Sequence, residues 1–145
     1  MTERVDILLV EDNPNDAKLA LHALKTANLG NPIQIARDGV EALDFVFCTG
    51  PHAGRRIEDA PKVILLDLKL PRIDGHEVLK RIKADPRTTT IPVVVLTTSR
   101  EERDVLQSYE LGANSYIVKP VDFEQFTQSV RDIGKYWLVL NQKTG

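Results

Sequence analysis

Asp67 closes the apolar run Val63-Ile64-Leu65-Leu66 and is followed at once by Leu68-Lys69-Leu70-Pro71. A charge at the mouth of a strand is costly to bury unless something pairs with it. Three other apolar runs end in groups of matching chemistry. Glu11-Asp12 follows Val5-Asp6-Ile7-Leu8-Leu9-Val10, Thr97 follows Pro92-Val93-Val94-Val95-Leu96, and Lys119 follows Ser115-Tyr116-Ile117-Val118 and precedes Pro120. Three carboxylates brought together repel one another, and a hard divalent cation resolves the conflict. Mg²⁺ suits because it uses one or two carboxylates together with backbone, water and phosphate oxygens. A carboxylate can also act as a nucleophile toward phosphorus and form an aspartyl phosphate. The metal and Lys119 would then each hold a phosphoryl oxygen, and the Thr97 hydroxyl would hydrogen-bond another.

Such a set works only if the four runs are neighbouring strands that end on one side. The intervening segments read as helices. Asn13 and Pro14 start one after Asp12, since Asn caps free amides and Pro suits the first helical position; it is expected to run to about Asn28, before Leu29-Gly30-Asn31-Pro32. Ile33-Gln34-Ile35-Ala36 alternates like a short strand, and Val40, Leu43, Phe45, Val46 and Phe47 mark a second helix ending near Gly50. Pro51 to Pro61 reads as an exposed loop. Asp74-Gly75-His76-Glu77 opens a third helix with Val78, Leu79 and Ile82 inward, closed by Asp85-Pro86. A fourth is expected over about Arg100 to Leu111, and a last from Val121-Asp122 to about Leu140, with Phe123, Phe126, Val130, Ile133, Trp137 and Leu140 on one face. Five β-α repeats imply a parallel sheet with right-handed crossovers and helices on both faces, whose ligands bind beyond the carboxyl ends of the strands.

At 145 residues the chain reads as one domain able to bury a full core. A single cysteine, Cys48, excludes an internal disulfide framework, and Met1-Thr2-Glu3-Arg4-Val5 lacks signal-peptide character, so a cytoplasmic location is expected. No apolar stretch approaches the roughly 20 residues of a membrane span. With 19 basic against 21 acidic side chains there is no footprint for nucleic acid, and Arg55-Arg56 and Lys80-Arg81 read as solvated faces. His22, His52 and His76 lack metal spacing and read as surface residues, and Cys48 as an inert helix residue.

On these residues the chain resembles the receiver domain of two-component response regulators over almost its whole length. The resemblance implies an α/β fold, the flavodoxin-like doubly wound five-stranded parallel sheet in order 2-1-3-4-5 with five helices, residues 1–145 forming one receiver with an apolar extension at about 136–145. It implies Asp67 as phosphoacceptor, Thr97 as switch residue, Tyr116 as aromatic switch, and Lys119 as phosphoryl contact, with a cis Lys119-Pro120 bond. Mg²⁺ would be held by Asp12, Asp67 and the backbone carbonyl of Lys69, with Glu11 acting through water. Val10-Glu11-Asp12-Asn13, Arg37-Asp38-Gly39, Val95-Leu96-Thr97-Thr98-Ser99 and Tyr136-Trp137 are similar to the stand-alone receivers that serve bacterial and cyanobacterial phytochromes. The implied partner is a histidine kinase, a phytochrome in that subgroup. The chain stops soon after the fifth helix, so output is expected through onward phosphotransfer or protein contact rather than catalysis by an attached domain.

Two positions depart from the common pattern. Lys69 stands where many receivers carry Asn or another uncharged residue, and Thr98 where most carry Ala or Gly; both are expected to slow loss of phosphate by crowding the attacking water. Tyr136, Trp137, Leu138, Val139 and Leu140 cannot all face one core, so the tail, with the face of helix 4, strand 5 and helix 5, is expected to form a homodimer as in related receivers. Blander readings exist for each residue alone: Asp67 as an ion-pair partner of Lys119, Glu11-Asp12 as a helix N-terminal acidic pair, Thr97 and Thr98 as strand formers. Three other functions compete. A pseudo-receiver would signal without phosphate; a flavin-binding protein would need a first loop that does not carry Glu11-Asp12; a phosphatase would need an acid or base where Lys69 stands.

Overall fold

The computed structural model describes residues 5–26, 32–97, 107, 109–118, 124, 128, 129, 131 and 132. Strands β1 (Ile7–Val10), β2 (Ile33–Ala36), β3 (Val63–Asp67), β4 (Val93–Thr97) and β5 (Ser115–Val118) alternate with helices α1 (Pro14–Thr26), α2 (Gly39–Phe47) and α3 (Gly75–Ala84). The five strands form one parallel sheet in the order β2-β1-β3-β4-β5. That is the doubly wound arrangement expected from the sequence. The fourth-helix and last-helix expectations fall largely outside the described residues; 107, 109 and 110, and 124, 128, 129, 131 and 132, are helical.

The strands are apolar on both faces because both faces are covered. Leu8, Val10, Ile64, Leu66, Val93 and Val95 pack with Leu43, Phe45 and Val46 of α2 and Val78, Leu79 and Ile82 of α3. Ile7, Leu9, Val63, Leu65, Val94, Leu96 and Ile117 pack on the opposite side with Ala17, Ala20, Ala23 and Leu24 of α1. Each fully buried Leu, Ile or Val contributes about 1.5–3 kcal/mol relative to exposure. The alanines at 17, 20 and 23 let α1 lie close to the sheet.

Helix starts follow the expected chemistry. Asn13 Oδ1 accepts from the amides of Asn15 (2.9 Å) and Asp16 (3.2 Å), ahead of Pro14. Asp38 and Asp74 cap α2 and α3 by accepting from the amides of Glu41 (2.8 Å) and Glu77 (3.1 Å). At the far end of α3, Lys83 Nζ donates to the carbonyls of Thr89 (3.0 Å) and Ile91 (2.6 Å) and to Asn114 Oδ1 (3.3 Å). Asn114 Oδ1 also accepts from Val93 N–H, so one lysine ties the helix to the starts of β4 and β5.

Several local expectations are corrected. α2 ends at Phe47 rather than near Gly50, because Cys48 takes the left-handed conformation (φ 57°) that a glycine usually supplies, and Asp44 draws Thr49 back through 2.9 and 2.8 Å hydrogen bonds. Cys48 is therefore the helix cap, not a helix residue. Arg55 is not a solvated side chain. Its guanidinium lies 3.6 Å from the centroid of the Phe45 ring and donates to the Phe45 and Asp59 carbonyls, satisfying an orphan carbonyl at the end of α2. The Pro51 to Pro61 loop is largely exposed, as expected, but Arg55 pins it to the end of α2, and it begins in a 3₁₀ turn at Gly50–His52. His52 packs edge-on against Phe45 at 5.0 Å, and His76 is half-buried with its Nε2 enclosed, so only His22 of the three histidines is exposed.

Candidate functional site

Parallel register brings the acidic residues together. Val10 of β1 pairs with Leu66 of β3, so Glu11 and Asp67 leave adjacent strands at the same level. The ladders continue past the strand ends, with Glu11 N–H donating to Ala36 carbonyl (2.9 Å) and Leu68 N–H to Leu96 carbonyl (3.3 Å). Carboxylate oxygens of Glu11, Asp12 and Asp67 all lie within 4.8 Å of one another. Glu11 and Asp67 are buried, at 2% and 4% exposure, whereas Asp12 is exposed.

Two like charges at that separation repel by about 3 kcal/mol at an effective dielectric near 20, which a cation reverses. An octahedral ion with oxygens at about 2.1 Å places its donors about 3 Å (cis) to 4.2 Å (trans) apart. The all-oxygen donor set fits a hard divalent cation with only small side-chain adjustment. One exposed and two buried carboxylates also leave an entry side.

Local hydrogen bonds aim these carboxylates. Lys69 N–H donates to Asp67 Oδ1 at 3.1 Å, and Asn13 N–H to Glu11 Oε2 at 3.3 Å. The first bond turns the chain directly after β3, leaving Lys69 exposed two residues beyond the acid. Gly75 then returns the chain against β3: its N–H donates to Leu68 carbonyl at 2.9 Å, and a Cβ there would stand 2.6 Å from Leu68 Cα. Helix patterning does not encode that contact. Its only trace in the sequence is a glycine placed in a helical first turn, where it costs roughly 1 kcal/mol against alanine.

Thr97 ends β4 one residue past Leu96, the partner of Asp67, and pairs with Val118 on β5. Its backbone therefore adjoins the acidic cluster. Tyr116 pairs with Val95, two residues back from the Thr97–Val118 pair. Lys119, Pro120 and Thr98 lie outside the described residues, as does the tail proposed to join two copies. No helix among the described residues is long and apolar enough to cross a membrane.

The family model described as the response regulator receiver domain matches residues 7–131. Response regulator Rcp1 of Synechocystis sp. is 43% identical over 132 residues, 91% of this chain and 88% of Rcp1. The crystal structure of its Mn²⁺-bound form superposes with a TM-score of 0.83 at 42% identity, over 92% of this chain and 94% of that one. The phosphorylated cyanobacterial phytochrome response regulator RcpA gives a TM-score of 0.84 at 42% identity, over 94% and 95% of the two chains. The bacteriophytochrome response regulator AtBRR gives 0.77 at 51% identity, over 94% and 96%.

Proposed function

The chain belongs to the family of response regulator receiver domains, and from that premise we propose that it is a phosphorylation switch whose acceptor is Asp67 and whose donor is a histidine kinase. The clustering of Glu11, Asp12 and Asp67 carboxylates within 4.8 Å at the carboxyl edge of the sheet carries the reading. In the reaction an Asp67 carboxylate oxygen bonds to phosphorus as the phosphorus–nitrogen bond of the kinase phosphohistidine breaks. The bonding pair returns to the imidazole, which later takes a proton from water.

Asp12, Asp67 and the Lys69 carbonyl would hold Mg²⁺, with Glu11 acting through water. The ion would supply charge neutralisation between nucleophile and phosphoryl group. Lys69 N–H holds Asp67 in orientation through Oδ1. Thr97 and Lys119 take phosphoryl oxygens, and Tyr116 reports the change along β5. Rcp1 crystallised with Mn²⁺, and RcpA crystallised phosphorylated, which supports both halves of this assignment.

The relatives named as phytochrome response regulators support a phytochrome as the kinase. Output by protein contact, with a homodimer through helix 4, strand 5, helix 5 and the tail, completes the reading. Calorimetric titration of beryllofluoride with Mg²⁺, alongside light scattering, tests it with Asp67→Asn as control. Binding by the wild type alone establishes the acceptor. Equal absence of binding leaves a phosphate-independent interaction module. A chain trimmed after Lys135 should scatter as a monomer if the tail joins the copies.

A further inference from the structure

The corner between β2 and α2 touches both halves of the acidic site. At its start, Ala36 carbonyl accepts from Glu11 N–H at 2.9 Å. Three residues later, Gly39 N–H donates to Pro71 carbonyl at 3.5 Å, in the loop that follows Asp67. Gly39 is buried so closely against that loop that a Cβ would stand 2.7 Å from Ile73 Cβ and nearer still to the Ile73 carbonyl oxygen. Its neighbour Asp38 caps α2 with Oδ1 and receives Arg72 Nη1 of the same loop on Oδ2 at 3.5 Å. Arg72 is held at φ 71°, a conformation that L side chains rarely adopt, at the centre of a tight turn that Ile73 N–H closes onto the Pro71 carbonyl at 2.9 Å.

The loop is thus gripped at both ends. Gly75 of its own helix sits on Leu68, and Gly39 of a different helix sits on Ile73. Between the grips lies Lys69, whose amide orients Asp67. Ala36 to Gly39 is a short stretch, opened by a strand ladder and closed by a capped helix, so a change in its contact with the 69–73 loop is transmitted over three residues to the backbone partner of Glu11.

We propose that Asp38, Gly39 and Arg72 are positioning residues that set the distance between Glu11-Asp12 and the Asp67–Lys69 turn, and thereby the affinity for the divalent cation. This rests on the functional reading above, because it presupposes that the turn and the acidic pair share one ion. It adds residues that are not among the ligands named above: two at the start of α2 and one in the loop between β3 and α3.

Calorimetric Mg²⁺ titrations of wild type, Gly39→Ala, Arg72→Gly and Arg72→Lys test it. They are paired with thermal melts without metal and with the amide NMR shift of Lys69. Outer supports of metal ligands typically change affinity by about 10–100-fold. Gly39→Ala should weaken Mg²⁺ about tenfold and move the Lys69 amide signal. Arg72→Gly accepts the backbone conformation without strain, so it should melt like wild type and still bind several-fold more weakly. Arg72→Lys restores the cation at a single-contact site and should recover wild-type affinity. Wild-type Mg²⁺ affinity and an unmoved Lys69 signal in a folded Arg72→Gly would overturn the proposal while leaving the metal site standing. A wild type that binds no Mg²⁺ would overturn both.

Discussion

Lys69 donates its backbone amide to Asp67 Oδ1 at 3.1 Å, so the residue after next in the chain aims the acid. An asparagine at 67 retains that acceptor and should keep the fold. What it loses is one of three clustered charges. Saturating Mg²⁺, at about a hundredfold over its dissociation constant, should therefore stabilise wild type by about 2.7 kcal/mol and Asp67→Asn far less. Melts with and without Mg²⁺ check this; equal stabilisation of both proteins would remove Asp67 from the metal site.

The Lys69 side chain is exposed at the mouth of the site. If it crowds water attacking the aspartyl phosphate, Lys69→Asn should shorten the phosphoryl half-life by a factor of a few. Decay of the phosphorylated protein measures it, and an unchanged or longer half-life refutes the role.

Gly75→Ala separates two opposing effects. Helix propensity alone would stabilise by about 1 kcal/mol, but the added Cβ meets Leu68 backbone, which cannot rotate aside. A net loss of about 1–3 kcal/mol in urea unfolding is expected, the usual cost of overpacking. A gain would show that the α3 start is free to move.

Arg55 holds its loop by stacking on Phe45 and donating to two carbonyls. Arg55→Ala should cost about 1–2 kcal/mol and speed amide exchange around residues 50–60, with little effect on Mg²⁺ binding. Unaltered exchange there would show that Arg55 does not hold the loop.

Partial burial holds the Lys83 ammonium below the ordinary lysine value of 10.5. The unfolded chain then binds the proton more tightly, so stability rises with pH through the window between the folded value and 10.5. Relative to Lys83→Gln, which does not titrate, wild type should gain as pH climbs into that window. Denaturant midpoints for both proteins settle the sign, and a gap that narrows with pH reverses it.

Element order, the parallel sheet and the helix starts at Asn13-Pro14 and Asp74-Gly75 were legible in the sequence, because periodicity and capping act between residues close along the chain. So was the convergence of Glu11, Asp12 and Asp67, since parallel strands of similar length end on one edge. The Asp38–Arg72 ion pair, the seats of Gly39 and Gly75, and the clamp of Lys83 on Asn114 were decided only by the tertiary structure. Each joins segments whose approach depends on how helices settle on the sheet, and no local pattern encodes that. Arg55 shows the same limit from the other side: beside Arg56 it reads as surface charge, yet one guanidinium lies over a ring ten residues away while Arg56 remains in solvent with Glu58. Identical side-chain chemistry took opposite roles because only packing determined which arginine found the open carbonyl at the end of α2.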